Sequence, residues 1–307
     1  MEGSGGGRFV ARSALGLAAC AIAVAGVFVA TEGVTFPVTA PAGPTVTLAP
    51  AAAALGCASA GPYHAPERGS VGVPAGLRLC PGEPVTVSVP GTVLDGWDVQ
   101  GGIVVDAADV VVRRSRVTGD GTMPYGIATT PAGSVRIEDV TLTGDFTEAA
   151  IGGDRWSAER VEITRVTSDG AHLGDGARLR NSTVHDFATP PGGAPGGETD
   201  ALVLQGTGRD VVVEDNRVEL GRRAGSAVLV APGRAGERAE GAVEIRGNLL
   251  GGGTYTLRQD GPAAAATDVR ITGNRFRRDA ERAPMRVPRR AVLEDNTYLD
   301  GGQLPDR

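Results

Sequence analysis

An eight-residue phrase recurs along this chain and constrains its fold more than any other feature. "VRITGNRF" from Val269 is its clearest form. Relatives are "VVVRRSRV" from Val110, "VRIEDVTL" from Val135, "VEITRVTS" from Val161, "ARLRNSTV" from Ala177, "VVVEDNRV" from Val211, "VEIRGNLL" from Val243 and "AVLEDNTY" from Ala291, with a degenerate "TVLDGWDV" from Thr92. The first and third positions are aliphatic and alternate with polar ones, which is the period of a strand. The sixth position holds Ser115, Ser182, Asn216, Asn248, Asn274 and Asn296, with Val140 and Val166 in two copies. Asn suits a tight bend between two strands, and stacked inward Asn side chains can bond to one another and to bend carbonyls. Leucine-rich repeats would need a further Leu three residues upstream, where Gly208, Glu240 and Ala266 stand. Successive copies start 25, 26, 16, 34, 32, 26 and 22 residues apart. That irregularity excludes repeats of fixed period and fits a parallel β-helix, in which the bends of a coil carry loops of any length.

A further strand per coil is expected in the short apolar runs "YGIAT", "AAIGG", "AHLGD", "DALVLQ", "SAVLV" and "YTLRQ". Their core column reads Ile127, Ile151, Leu173, Leu202, Val228 and Leu257, and the 16-residue step from Val161 to Ala177 is its tightest joint. Alternation then turns His172 and Arg258 outward, followed by Asp154, Gln205 and Asp260, with Asp175 and Trp156 close to the same face. Two long excursions, Phe187 to Thr199 and Gly233 to Gly241, are expected to project from bends. The first brings His185, Asp186, Glu198 and Asp200 near one bend. The fold expected is all-β: a right-handed parallel β-helix solenoid of about eight to nine coils, preceded by an N-terminal export or anchor helix.

Arg8 and Arg12 precede an unbroken small and apolar run from Ala14 to Ala30, the pattern of an export signal. Whether it is a cleaved signal peptide or a retained anchor stays open. The expected organisation is signal or anchor over 1–34, a Pro/Ala/Thr-rich linker over 35–66, the β-helix over 67–302 and a short tail over 303–307. Membrane contact is expected only through residues 14–30, so the location is secreted or extracytoplasmic. Export leaves two cysteines, Cys57 and Cys80, in an oxidising compartment. A disulfide between them is expected, with two buried free thiols as the alternative. A net charge of −6 carries no electrostatic footprint for nucleic acid. All 30 basic residues are Arg, so no Lys serves as base or Schiff-base former. A monomer is expected.

The stretches "VPGTVLDGWDV", "VVVRRSRV", "HDFA", "TDALVLQG", "VRITGNRF" and "VLEDNTY" resemble secreted bacterial right-handed β-helix proteins of the pectate-lyase-like superfamily, over Val71 to Asp300. The resemblance implies the fold and leaves activity open, because that superfamily holds polysaccharide lyases, glycoside hydrolases, epimerases and coils without known catalysis. Where such proteins often read His-[Ser/Thr]-Asp-Gly, this chain has Glu198-Thr199-Asp200-Ala201, so Asp200 matches and the His does not. The expected function is that of an exported carbohydrate-active protein, a lyase-type enzyme on an acidic polysaccharide or cell-wall glycan. The alternative is a non-catalytic glycan-binding, adhesion or spacer module. A lyase needs a charge neutraliser, a base and a proton donor. The catalytic candidates are Asp200, His172 and Arg258, with His172 or Arg258 as base. Substrate contacts are expected from Trp156, His185, Asp186, Glu198, Gln205, Tyr255 and Asp260, and a Ca²⁺ ion is expected at Asp154 and Asp175. A hydrolase is disfavoured, since the trio of acids with Gly-His-Gly found in polygalacturonases is absent.

Overall fold

The computed structural model describes residues 54–57, 70–189, 198–204, 207, 209–231, 242–260 and 268–305. These residues form a parallel β-helix and contain no helix. The export segment and most of both excursions lie outside the described residues, as does Gln205. Two sheets have ten strands and the third has nine, and every pairing along each sheet is parallel between successive coils. The first sheet contains Val110–Arg113, Val135–Glu138, Trp156–Glu159, Arg178–Arg180 and Val211–Glu214 among its strands. The second follows each of these after a bend, as in Arg116–Asp120, Thr141–Asp145, Glu162–Val166 and Thr183–His185. The third is built from the short apolar runs, including Tyr125–Thr129, Ala149–Gly152, Asp169–Leu173, Leu202–Leu204, Val228–Val230 and Tyr255–Gln259.

The repeated phrase is therefore strand, bend, strand. Its first and third residues point inward from the first sheet, as Val110, Val112, Val135, Ile137, Val243, Ile245, Val269 and Ile271 do, each no more than 4% exposed. Its eighth residue points inward from the second sheet, as Val117, Leu142 and Leu250 do. The sixth residue fills the corner as a hydrogen-bonded ladder. Asn248 Oδ1 accepts from the backbone N–H and Nδ2 of Asn216 at 2.9 and 3.0 Å, while Asn248 Nδ2 donates to Val213 O and to Asn274 Oδ1. The pattern repeats from Asn274 to Asn296. Below the Asn residues, Ser182 continues it by donating its N–H to Asn216 Oδ1 and accepting the N–H of Val161 on Oγ. Each buried corner group thus finds a partner one coil away. The left-handed residue of the bend is not the Asn but the one before it: Arg114, Asp139, Arg160, Asn181, Asp215, Gly247, Gly273 and Asp295, with φ between 47° and 67°.

The register corrects the reading around Val161. Trp156, not Val161, pairs with Val135, and Ser157 pairs with Arg178, so both steps are 21 residues and the short joint disappears. Val161 is the corner residue and Glu162 starts the second-sheet half, in which Ile163 pairs with Leu142. Trp156 is consequently a core residue, 1% exposed, and cannot stack on a ligand. The third-sheet core column also shifts by two at one point: Ile151 pairs with Ala171, which pairs with Leu202, while Leu173 pairs with Leu204. The shift preserves parity, so His172 still faces outward.

At the start of the β-helix, strand Ala54–Gly56 pairs with Val93–Asp95, inside the stretch expected to be linker. A disulfide joins Cys57 to Cys80, whose strand Cys80–Gly82 opens the second sheet. The bond ties the incoming chain to the first coil and points to an oxidising compartment. At the far end the tail is partly folded back, with Thr297 bridged to Gln303.

Candidate functional site

The outward face of the third sheet carries one column of residues in register: Ala128, Gly152, His172, Val203, Leu229, Arg258 and Arg286. Small and aliphatic side chains make its floor, and polar groups gather at two places along it.

The first place is built around His172. Its Nδ1 lies 3.2 Å from the hydroxyl of Tyr125 and its Nε2 lies 3.1 Å from Asp169 Oδ2. Tyr125 and His172 also meet edge to face, with ring centroids 5.5 Å apart. Tyr125 starts two coils earlier and reaches His172 by lying across Gly152, where an added Cβ would sit 2.4 Å from a ring carbon. Glycine at 152 is what lets the ring lie down on the sheet. Burial, with the carboxylates of Glu148 and Asp169 next, pushes the Tyr125 phenol up to about 12, so the hydroxyl keeps its proton at neutral pH. The arrangement that satisfies every donor has Tyr125 donating to Nδ1 and Nε2–H donating to Asp169. Hydroxyl, imidazole and carboxylate in that sequence repeat the logic of a nucleophile–base–orienter triad.

Asp169 has a second bond, accepting the N–H of Asp200 on Oδ1 at 2.9 Å. Asp200 does the same one coil on, accepting the N–H of Ser226 at 2.5 Å. Asp200 is thus a link in a carboxylate ladder that caps this edge of the third sheet. It is 6% exposed, and burial together with the charge of Asp169 raises its carboxyl to about 6 against the opposing pull of the Ser226 N–H and of Arg258.

The second place is the Arg258 end, three rungs or about 14 Å from His172 at the usual strand spacing. Arg258 donates to Glu198 at 2.7 Å and pairs with Asp260 at 3.1 Å. Burial draws its pKa down, but the bond to Glu198 and the charges of Glu198, Asp200 and Asp260 outweigh it and leave the guanidinium above its ordinary value. Arg258 is thus a cation held between Glu198 and Asp260. Tyr255 lies at this end under Arg286, whose guanidinium carbon is 5.6 Å from the ring centroid.

His172, Arg258 and Asp200 therefore share one side of the β-helix without forming one reaction centre. The expected grouping of His185 and Asp186 with Glu198 and Asp200 also separates. His185 ends a second-sheet strand, with Nδ1 2.8 Å from Asp186 and Nε2 3.3 Å from Glu162. Glu198 and Asp200 belong to the third-sheet face. Asp154 and Asp175 are spent on bends: Asp154 Oδ1 accepts the N–H of Asp175, and Asp175 accepts from Thr207 Oγ1 and the N–H of Arg209. Among the described residues no three His, Cys, Asp or Glu side chains are grouped to hold a metal ion, and two capping carboxylates tied to backbone make a poor Ca²⁺ cage, which takes six to eight oxygens.

Tyr125 and Asp169 were missed in the sequence. The available signal was the pair Gly152 and His172, a gap and an imidazole in successive coils of one column, with an aromatic one coil earlier. No protein-family model, curated protein or solved structure matches the chain.

Proposed function

We propose that this is an exported carbohydrate-active β-helix of the pectate-lyase-like kind, which seats a polysaccharide along the outward face of the third sheet and cleaves it by β-elimination at Tyr125. The observation that carries the reading is the Tyr125–His172–Asp169 relay on that face. In the reaction, Tyr125 Oη takes the proton from the carbon beside a uronate carboxyl while its own proton passes to His172 Nδ1. Asp169 stabilises the imidazolium that results. The bond to the leaving glycosidic oxygen breaks and a carbon–carbon double bond forms in the sugar ring. The leaving oxygen takes a proton from Tyr125, whose hydroxyl is restored from His172. Base and acid act from the same side because one hydroxyl does both jobs. The phenol's high proton affinity makes the transfer concerted with His172 rather than through a standing phenolate. His172, named from the sequence, is here the relay's middle member, and Arg258 and Tyr255 are contacts for a sugar three rungs away.

A glycan-binding or spacer module is the second reading. It is favoured by the use of Asp154, Asp175 and Asp200 as backbone caps, which removes them from chemistry. The two separate on a panel of acidic and neutral polysaccharides followed by absorbance of unsaturated product. Cleavage that disappears in Tyr125→Phe supports the enzyme. Retained binding with no product on any member of the panel supports the module.

A further inference from the structure

We infer that the second sheet carries a separate groove that binds an anionic sugar. The groove encloses about 560 Å³ and runs between the sheet and the segment Val73–Leu77, a size that suits a small ligand. Its wall is preformed. Gly72 donates its N–H to Arg160 O at 2.8 Å, Val73 donates to Thr141 Oγ1 at 3.0 Å, and a turn from Pro74 to Leu77 closes the segment. Gly72 has φ of 73° and would bring a Cβ within 2.5 Å of Thr141 Oγ1, so only glycine lets the wall lie this close.

The floor offers polar groups that the fold leaves unused. Thr118 and Thr143 are in register on adjacent coils, and among the described residues neither hydroxyl makes an intramolecular hydrogen bond. Arg165 borders the groove from a bulge in the next strand, and its guanidinium has no partner among the described residues. Arg116 stands on the other side, and among the described residues it is held only by an exposed pair with Asp98 at 3.3 Å. The one carboxylate in the lining, Glu162, is already bonded to Thr141 and His185. Two guanidiniums, two stacked hydroxyls and an aliphatic wall of Val73, Pro74 and Leu77 match a ring bearing a carboxylate and hydroxyls. The anionic character rests on these side chains alone, and the choice of a sugar rests on the proposed function.

The site is separate from the third-sheet face and differs in its charged groups, with two guanidiniums and one bonded carboxylate in its lining. A long acidic polysaccharide is thereby retained by the second sheet while another stretch is presented to the relay.

The test is calorimetric titration of the full chain with a uronic-acid trisaccharide and with its neutral counterpart. Binding of the acidic probe is expected, weakening with added salt, and the neutral probe is expected to bind at least tenfold more weakly. Arg165→Asn, chosen because Asn accepts the left-handed backbone at this position (φ 54°), should weaken the acidic probe about tenfold, as should Arg116→Gln. His172→Ala should leave this binding unchanged while abolishing any cleavage, which separates failure of the groove from failure of the relay. Equal affinity for both probes, no binding of the acidic one, or unchanged affinity in both arginine variants of native circular dichroism would overturn the inference.

Discussion

A buried carboxylate that accepts a backbone N–H and faces a second carboxylate is pulled two ways, and at Asp200 burial wins. Its proton affinity is higher in the folded chain, with a pKa of about 6 against 3.8. The folded state therefore holds this proton over a window in which the unfolded chain has lost it. The favourable contribution is complete below about pH 4 and is lost as pH rises through 6, amounting to about 3 kcal/mol. Asp200→Asn keeps an oxygen to accept the Ser226 N–H and removes the charge. Denaturant melts at pH 7.5 should find this variant more stable than the parent by about 1–3 kcal/mol, with the difference vanishing near pH 4. A variant less stable at pH 7.5 would mean that the carboxylate charge itself holds the bend. Tyr125 is a different case, because the residue is half-buried and its hydroxyl makes one bond. Tyr125→Phe should cost no more than about 1 kcal/mol of stability, so loss of activity in it reads on chemistry.

At the scale of the element, the corner ladder decides how the coils stack. Asn248 is 1% exposed and its side chain takes part in four hydrogen bonds, so truncation strands partners on both neighbouring coils. Asn248→Ala should lose about 3–5 kcal/mol in chemical denaturation. Asn296 sits half-buried near the end of the ladder, with no Asn above it, and Asn296→Ala should lose about half as much. Equal losses at the two positions would show that the ladder is not what stabilises the corner. The ladder was legible in the sequence, since Asn216, Asn248, Asn274 and Asn296 recur in one slot of an alternating phrase. Its left-handed residue was not, because Arg, Asp, Asn and Gly all occupy that place. The copy at Val161 misled for a physical reason: "VEI" alternates like a first-sheet strand but spans the corner and the second sheet. The true first-sheet strand there is Trp156–Glu159, where Trp156 and Ala158 fill inward space that aliphatic residues fill elsewhere.

Across the whole molecule, stability is passed from coil to coil, so the ends matter. The Cys57–Cys80 bond spans 23 residues and fixes the first added strand to the first coil. Replacing both cysteines by Ser should lower stability by about 3 kcal/mol on the chain-entropy account. A smaller loss in the reduced parent than in the double variant would point instead to packing of the sulfur atoms. The candidate site was less legible than the fold because its parts come from three coils whose loops differ in length. Tyr125, Gly152 and His172 become neighbours only after the register of the third sheet is known. Arg258 was visible as an outward cation, but its partners Glu198 and Asp260 lie 60 residues back and two residues on. The central claim is that the relay on the third sheet does chemistry. Its most direct test is the rate at which unsaturated product appears from acidic polysaccharides with the parent protein and with Tyr125→Phe. The account predicts product from at least one polysaccharide and a loss of at least about 100-fold in the variant. Product formation that survives the substitution, or no product from any polysaccharide, would contradict it.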